Sequence, residues 1–127
     1  MTRIAYVDSS CVVAIAFSER GSTELARRLA TYDQRVSSNL LEAELRSACW
    51  REGHDVNREV LDGIDWVQAD RPLRDELIAV LEVGYLRGAD AWHIATALFA
   101  TTDPSDVHFE TLDVPQRRIA AALGFKT

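Results

Sequence analysis

From Asp90 the chain reads Asp90-Ala91-Trp92-His93-Ile94-Ala95-Thr96-Ala97-Leu98-Phe99-Ala100, and this stretch decides the fold. A surface helix keeps a polar stripe for water, whereas this run is apolar nearly all round and so packs in the middle of a structure. The flanking sequence supplies strands to pack against. Ile4 to Val7 is a short apolar run ended by Asp8-Ser9-Ser10, which reads as a buried strand entering a helix-capping turn. Arg35 to Ser37, Trp66 to Gln68 and Val107 to Leu112 read as further strands. Between them, helices are expected over Cys11 to Phe17, over Ser22 to Ala30, and from Leu40 to Arg51, where Gly53 is placed as a stop. Another helix is expected after Asn57, and one entered through Pro72 and running past Leu77, Leu81 and Tyr85 to Arg87-Gly88. A last helix fits Val114 to Leu123, stopped by Gly124. Strands alternating with helices predict an α/β protein with a central, mainly parallel sheet covered on both faces.

At 127 residues, the length suits one domain over positions 1–127. With 47% apolar and 27% charged residues and only 6 Gly and 3 Pro, disorder and low complexity are excluded. Cys11 to Phe17 and Ile94 to Ala100 fall far short of the ~20 apolar residues that cross a bilayer, and no basic segment precedes a signal-type core, so a cytoplasmic protein without membrane association is expected. Cys11 and Cys49 have neither CxxC spacing nor a histidine cluster and read as buried core residues. A net charge of −6 runs against simple electrostatic binding of nucleic acid. Lys126 is the only lysine, and the arginines that make up the other cations suit bidentate contact with phosphate.

In a parallel sheet, ligands gather beyond the carboxyl ends of the strands. Asp8 and Asp113 follow two of the expected strands. On the helix from Leu40, Glu44 falls about 40° from Leu40 and Ala48 and about 60° from Leu41, which is the core-facing side. Glu42, four residues before Arg46, makes an exposed ion pair instead. Asp90 opens the central helix on the side of Ile94 and Ala97. Each acid has a structural alternative. Asp8, Asp90 and Asp113 all suit an N-cap, Asp113 has Gln116 at capping-box spacing, and Glu44 fits the margin of an apolar stripe. Brought together, four carboxylates would repel by ~1 kcal/mol per pair at 4 Å even in water. A hard divalent cation, Mg²⁺ or Mn²⁺, would neutralise them and supply the chemistry of phosphodiester hydrolysis. His93 turns to the other side of its helix from Asp90 and reads as a core histidine. Trp50, Trp66 and Trp92 read as core or interface aromatics, with at least one expected at a partner contact.

Four segments carry a resemblance: Tyr6-Val7-Asp8-Ser9-Ser10, Leu41-Glu42-Ala43-Glu44-Leu45-Arg46, Arg87-Gly88-Ala89-Asp90-Ala91-Trp92-His93-Ile94-Ala95-Thr96-Ala97, and Phe109-Glu110-Thr111-Leu112-Asp113. In that order they resemble the acidic motifs of the PIN-domain family, and within it the VapC-type toxin ribonucleases. The resemblance implies a three-layer α/β/α fold and a Mg²⁺- or Mn²⁺-dependent endoribonuclease, the toxin component of a toxin–antitoxin pair. It further implies a homodimer, restrained by a cognate antitoxin, that cuts RNA by in-line attack of a metal-activated water. Asp8, Glu44, Asp90 and Asp113 would be both the catalytic and the metal-binding residues, with the Ser10 and Thr111 hydroxyls orienting them. Val114-Pro115 stand where some relatives carry a further acid. Arg46, Arg87, Arg117 and Arg118 lie near the motifs as candidate RNA contacts. Two alternatives stay open: a related nuclease acting on DNA or structured nucleic acid, and a non-catalytic module of the same fold that binds a protein. An aspartyl phosphatase or a receiver domain fits less well, because Ser10 stands where the former wants a second acid and no lysine precedes Lys126.

Overall fold

The structure is a computed structural model and describes residues 2–127. Four short strands form it: β1 (Ile4–Val7), β2 (Gln34–Ser38), β3 (Ile64–Val67) and β4 (Val107–Glu110). All pair in parallel, in the order β3-β2-β1-β4, with Tyr6 level with Val36 on one side and with Phe109 on the other. Because successive residues of a strand face opposite ways, each strand feeds two cores. Ala5, Val7 and Ile64 enter one cluster with Cys11, Val12, Leu25, Leu29, Leu41, Leu45 and Cys49. Those residues come from α1 (Ser9–Ala16), α2 (Ser22–Ala30) and α3 (Leu40–Arg51). Tyr6, Val107 and Phe109 enter the other with Val80, Ile94, Ala97, Ile119 and Ala120. Those come from α4 (Arg74–Val83), α5 (Gly88–Ala100) and α6 (Val114–Ala122). The result is the three-layer α/β/α arrangement, with α5 as the most buried helix. Among the described residues, no helix is long and apolar enough to cross a membrane.

The local signals act where expected. Gly53 and Gly124 adopt φ values of 62° and 104°, the left-handed backbone that ends a helix and that glycine alone enters without strain. Cys11 and Cys49 are buried and unpaired by disulfide, and burial pushes the Cys11 thiol up to about 12, so it stays protonated.

Three expectations are corrected. The helix after Asn57 is a single 3₁₀ turn, Arg58–Val60, capped by the Asn57 side chain, because too few apolar residues are available to bury a longer one. The helix entered through Pro72 starts only at Arg74 and ends at Val83, leaving Tyr85 outside it and 82% exposed. β4 stops at Glu110, since the next backbone N–H groups turn to side chains: Leu112 N donates to Ser10 Oγ and Asp113 N to Thr111 Oγ1. Trp50 fills no core and is 88% exposed on α3, whereas Trp92 is half-buried and donates its indole N–H to Ser38 Oγ.

Candidate active site

β1 delivers Asp8 to its carboxyl end, one residue past the strand, where Asp8 N still donates to Glu110 O at 2.9 Å. The buried carboxylate is held on both oxygens. Oδ2 accepts from Ser10 N at 3.0 Å, capping α1, and from the Thr111 hydroxyl at 3.2 Å. Oδ1 accepts from Gln116 Nε2 at 3.2 Å. Gln116 is wholly buried and ties three elements together: Nε2 also donates to Asp90 O at 3.2 Å, and Oε1, 2.6 Å from Thr111 Oγ1, shares that hydroxyl's one proton with Asp8 Oδ2. The Ser10 hydroxyl lies 3.3 Å from Thr111 Oγ1 and accepts from Leu112 N. Both hydroxyls predicted to orient carboxylates therefore belong to the web around Asp8.

Glu44 projects from α3 with its side chain 30% exposed, and Oε1 accepts from His93 Nε2 at 2.7 Å. The other ring nitrogen, Nδ1, meets the Tyr6 hydroxyl at 2.7 Å, and that hydroxyl accepts from Ser38 N at 3.0 Å. Burial pushes the Tyr6 hydroxyl far above its usual range, so it keeps a proton to donate. These partners orient the ring: the Tyr6 hydroxyl donates to Nδ1 and Nε2–H faces Glu44, with Asp8 Oδ1 3.8 Å away. His93 is buried, as a core histidine should be, yet it does not turn away from the acids. It forms the wall behind them. Replacing it by Leu should cost about 2–3 kcal/mol in urea denaturation, because both Glu44 and the buried Tyr6 hydroxyl lose a partner; an unchanged midpoint would show that these bonds contribute nothing.

Asp90 lies in the first turn of α5, half-buried. Its carboxyl is held above the usual carboxylate range, by burial first and then by the charges of Asp8, Asp113 and Glu44. The other three predicted acids thus all act on Asp90. Asp113 caps α6, Oδ2 accepting from Gln116 N at 2.9 Å, and its other oxygen is left for the cleft. Asp90 and Asp113 line a cleft of about 340 Å³ with Arg87, Tyr85, Leu86 and Pro115.

A model of the PIN domain matches residues 5–121, a span that contains Asp8, Glu44, Asp90 and Asp113. The chain belongs to the PIN domain family. It is also similar to Ribonuclease VapC46 of Mycobacterium tuberculosis strain H37Rv, at 38% identity over 95 residues, covering 72% of this chain and 72% of that protein. No solved structure matches it.

In this PIN domain the donor set suits a hard divalent cation: three carboxylates whose charges act on Asp90, whose own carboxyl has no hydrogen bond among the described residues to offset its burial. Among the described residues, no three His, Cys, Asp or Glu side chains are already drawn together as a ligating cluster. Of the four acids, Asp90 and Asp113 line the cleft itself. Of the four candidate arginines, the structure brings only Arg87 to the cleft. Arg46 is paired with Glu42 at 2.7 Å on the outer face of α3. Arg117 donates to Thr111 O at 2.6 Å and lines a different recess, and Arg118 is exposed on α6. His93, Gln116 and Tyr6 are the participants not anticipated; the signal for Gln116 was an amide three and four residues before buried Ile119 and Ala120.

Proposed function

We propose that this PIN domain is an endoribonuclease, the toxin component of a toxin–antitoxin pair, and that its acidic cleft receives an RNA phosphodiester. The convergence of the Asp8, Asp113 and Glu44 charges on Asp90 carries this reading. A cleft with that charge repels RNA unless a cation is held there, so Asp8, Glu44, Asp90 and Asp113 are assigned to hold Mg²⁺ or Mn²⁺. When bound, such an ion polarises the phosphoryl oxygen, lowers the pKa of a water and offsets charge on the leaving oxygen.

The chain's own residues prepare the cleft. Gln116, Thr111 and Ser10 N hold the Asp8 carboxylate at a fixed orientation, and His93 Nε2–H holds Glu44. The Arg87 guanidinium at the rim is suited to a phosphate oxygen. The similarity to a protein named as a ribonuclease favours RNA over DNA. A cognate antitoxin and a second copy of the chain, meeting in the cytoplasm, complete the reading, and exposed Trp50 is available to either contact.

The test incubates the purified protein with single-stranded RNA, or DNA of the same sequence, in Mg²⁺, Mn²⁺ or EDTA. RNA should be cut only with a divalent ion, leaving 5′-phosphate and 3′-hydroxyl ends. Equal cleavage of DNA would favour the broader nuclease. No cleavage, together with no rise of Tm in either ion, would favour the protein-binding module.

A further inference from the structure

The chain carries 14 Lys and Arg against 20 Asp and Glu. Even so, Arg3, Arg28, Arg117 and Lys126 line one recess of about 540 Å³, with Tyr32, His108 and Thr127, in which Glu110 is the only acidic side chain among the described residues. Cations are in the minority overall and dominate here. The recess follows the outer edge of β4, the last strand of the sheet, on the side of α2, with Arg117 reaching round from α6. Lys126 is placed by its backbone, which pairs with β4: Lys126 N donates to Val107 O and Phe109 N to Lys126 O.

Internal pairing consumes one of the four cations. Arg28 grips Glu110 through Nε at 3.0 Å and Nη2 at 3.3 Å, and the Tyr32 hydroxyl donates to the same carboxylate at 2.8 Å. That acid is therefore neutralised in place. Arg117 uses Nη2 on Thr111 O, and Arg3 uses Nη1 on Thr31 while lying 4.7 Å from the Tyr32 ring centre. These are bonds to neutral groups, so both charges persist, and Lys126 adds a third. His108, in the same recess, responds to them: burial holds its pKa below the usual value, and the charges of Lys126 and Arg3 lower it further.

The recess adjoins the acidic cleft. Glu110 pairs in register with Val7, whose neighbour is Asp8, and the carbonyl that Arg117 holds belongs to Thr111, whose hydroxyl touches Asp8. Adjacent strands lie about 5 Å apart, so the Glu110 and Arg117 end of the recess meets the cleft across the turn over residues 111–113, while Arg3 and Lys126 extend it toward the amino ends of β1 and β4. We infer that the recess binds backbone phosphates of single-stranded RNA flanking the bond in the cleft, the strand crossing this turn from one to the other. The identity of the strand rests on the nuclease reading; the recess and its charge do not. Phosphodiesters suit it because three cations gathered in one recess offset repeating negative charges, and an acidic protein needs such a local surface to hold RNA at all.

The test measures fluorescence anisotropy of labelled single-stranded RNA of about 12 nucleotides, in EDTA, over a range of salt. The double variant Arg3→Gln/Lys126→Gln should bind about tenfold more weakly, and the slope of log K against log salt should fall by about 1.4, since each phosphate contact on a single strand contributes about 0.7. Lys126→Gln alone changes an exposed side chain and should remove about half of that slope, should the double variant fold poorly. Arg58→Gln/Arg74→Gln, which removes the same charge before β3 and at the start of α4, should leave affinity and slope unchanged. Unchanged binding in the recess variants, or an equal loss in the control pair, overturns the inference. EDTA keeps the two readings separable: RNA bound here with the expected slopes, yet left uncut once Mg²⁺ or Mn²⁺ is supplied, would sink the nuclease and leave the recess standing.

Discussion

Asp8→Asn should lower RNA cleavage by about 10³-fold or more, roughly 4 kcal/mol of lost transition-state stabilisation, while the protein still folds cooperatively. The substitution keeps the shape and removes the charge, which is the property proposed to hold the cation. It also carries a stability signature. Asp8 accepts donors on both oxygens, Ser10 N and the Thr111 hydroxyl on Oδ2 and Gln116 Nε2 on Oδ1. An asparagine whose oxygen keeps the first two turns its NH₂ toward the Gln116 amide nitrogen, so a donor meets a donor. Gln116 relieves this by rotating its amide, at the expense of its bond to Asp90 O and with Nε2 in place of Oε1 toward the Thr111 hydroxyl, which then accepts. The expected result is a loss of about 1–2 kcal/mol, one buried hydrogen bond and some strain, read by thermal or urea melts in EDTA. Single-turnover cleavage at the rate of the unsubstituted protein would remove Asp8 from the machinery.

The sheet was legible because alternation of strand and helix is a local signal, written in apolar periodicity and in stops such as Gly53 and Gly124. Glu44 was legible as a charge on an apolar face. The partners of these acids were not, for reasons that differ from residue to residue. A helical wheel gives the angle of His93 about one axis and says nothing of which neighbour stands there; the Tyr6 hydroxyl and Glu44 come from β1 and α3. Gln116 had capping-box spacing from Asp113, and its backbone N–H does take the capping bond. The return bond of a capping box is pre-empted, because Asp113 N donates to Thr111 Oγ1. The Gln116 side chain is thereby free to turn inward to Asp8 and Asp90. Arg117 lies close in sequence to the acidic motif but on the far side of a tight turn, a separation that no linear spacing displays. Caps and core positions follow from neighbours along the chain, whereas a second ring of hydrogen bonds follows from the packing of elements remote in sequence.

Asp90→Asn should abolish cleavage as Asp8→Asn does, yet move stability the opposite way. The folded protein holds the Asp90 carboxyl above its ordinary value of 3.8, through burial and the charges of Asp8, Asp113 and Glu44. The folded state therefore binds this proton more tightly than the unfolded state, and linkage fixes the sign: the contribution of Asp90 to stability falls as pH rises from 3.8 through the raised folded value. At neutral pH the ionised group destabilises the metal-free protein. Removing its charge should raise stability in EDTA by up to about 1 kcal/mol, the scale of a like-charge contact in a solvated site, and the advantage should vanish below pH 3.8, where both states are protonated. A divalent ion should reverse the ranking. An ion bound only by the folded state adds RT ln(1 + [L]/Kd), about 2.7 kcal/mol at a hundredfold excess over Kd, and the variant should lose most of it. The measurement is a pair of melting curves for each protein, with EDTA and with Mn²⁺ or Mg²⁺. A variant less stable than the unsubstituted protein in EDTA would mean that Asp90 is held by favourable bonds and not by the field of its neighbours, and an equal gain from the ion in both would place the cation elsewhere. Stability forgone at Asp90 in the empty cleft is, on this account, what makes the cleft receptive to a cation.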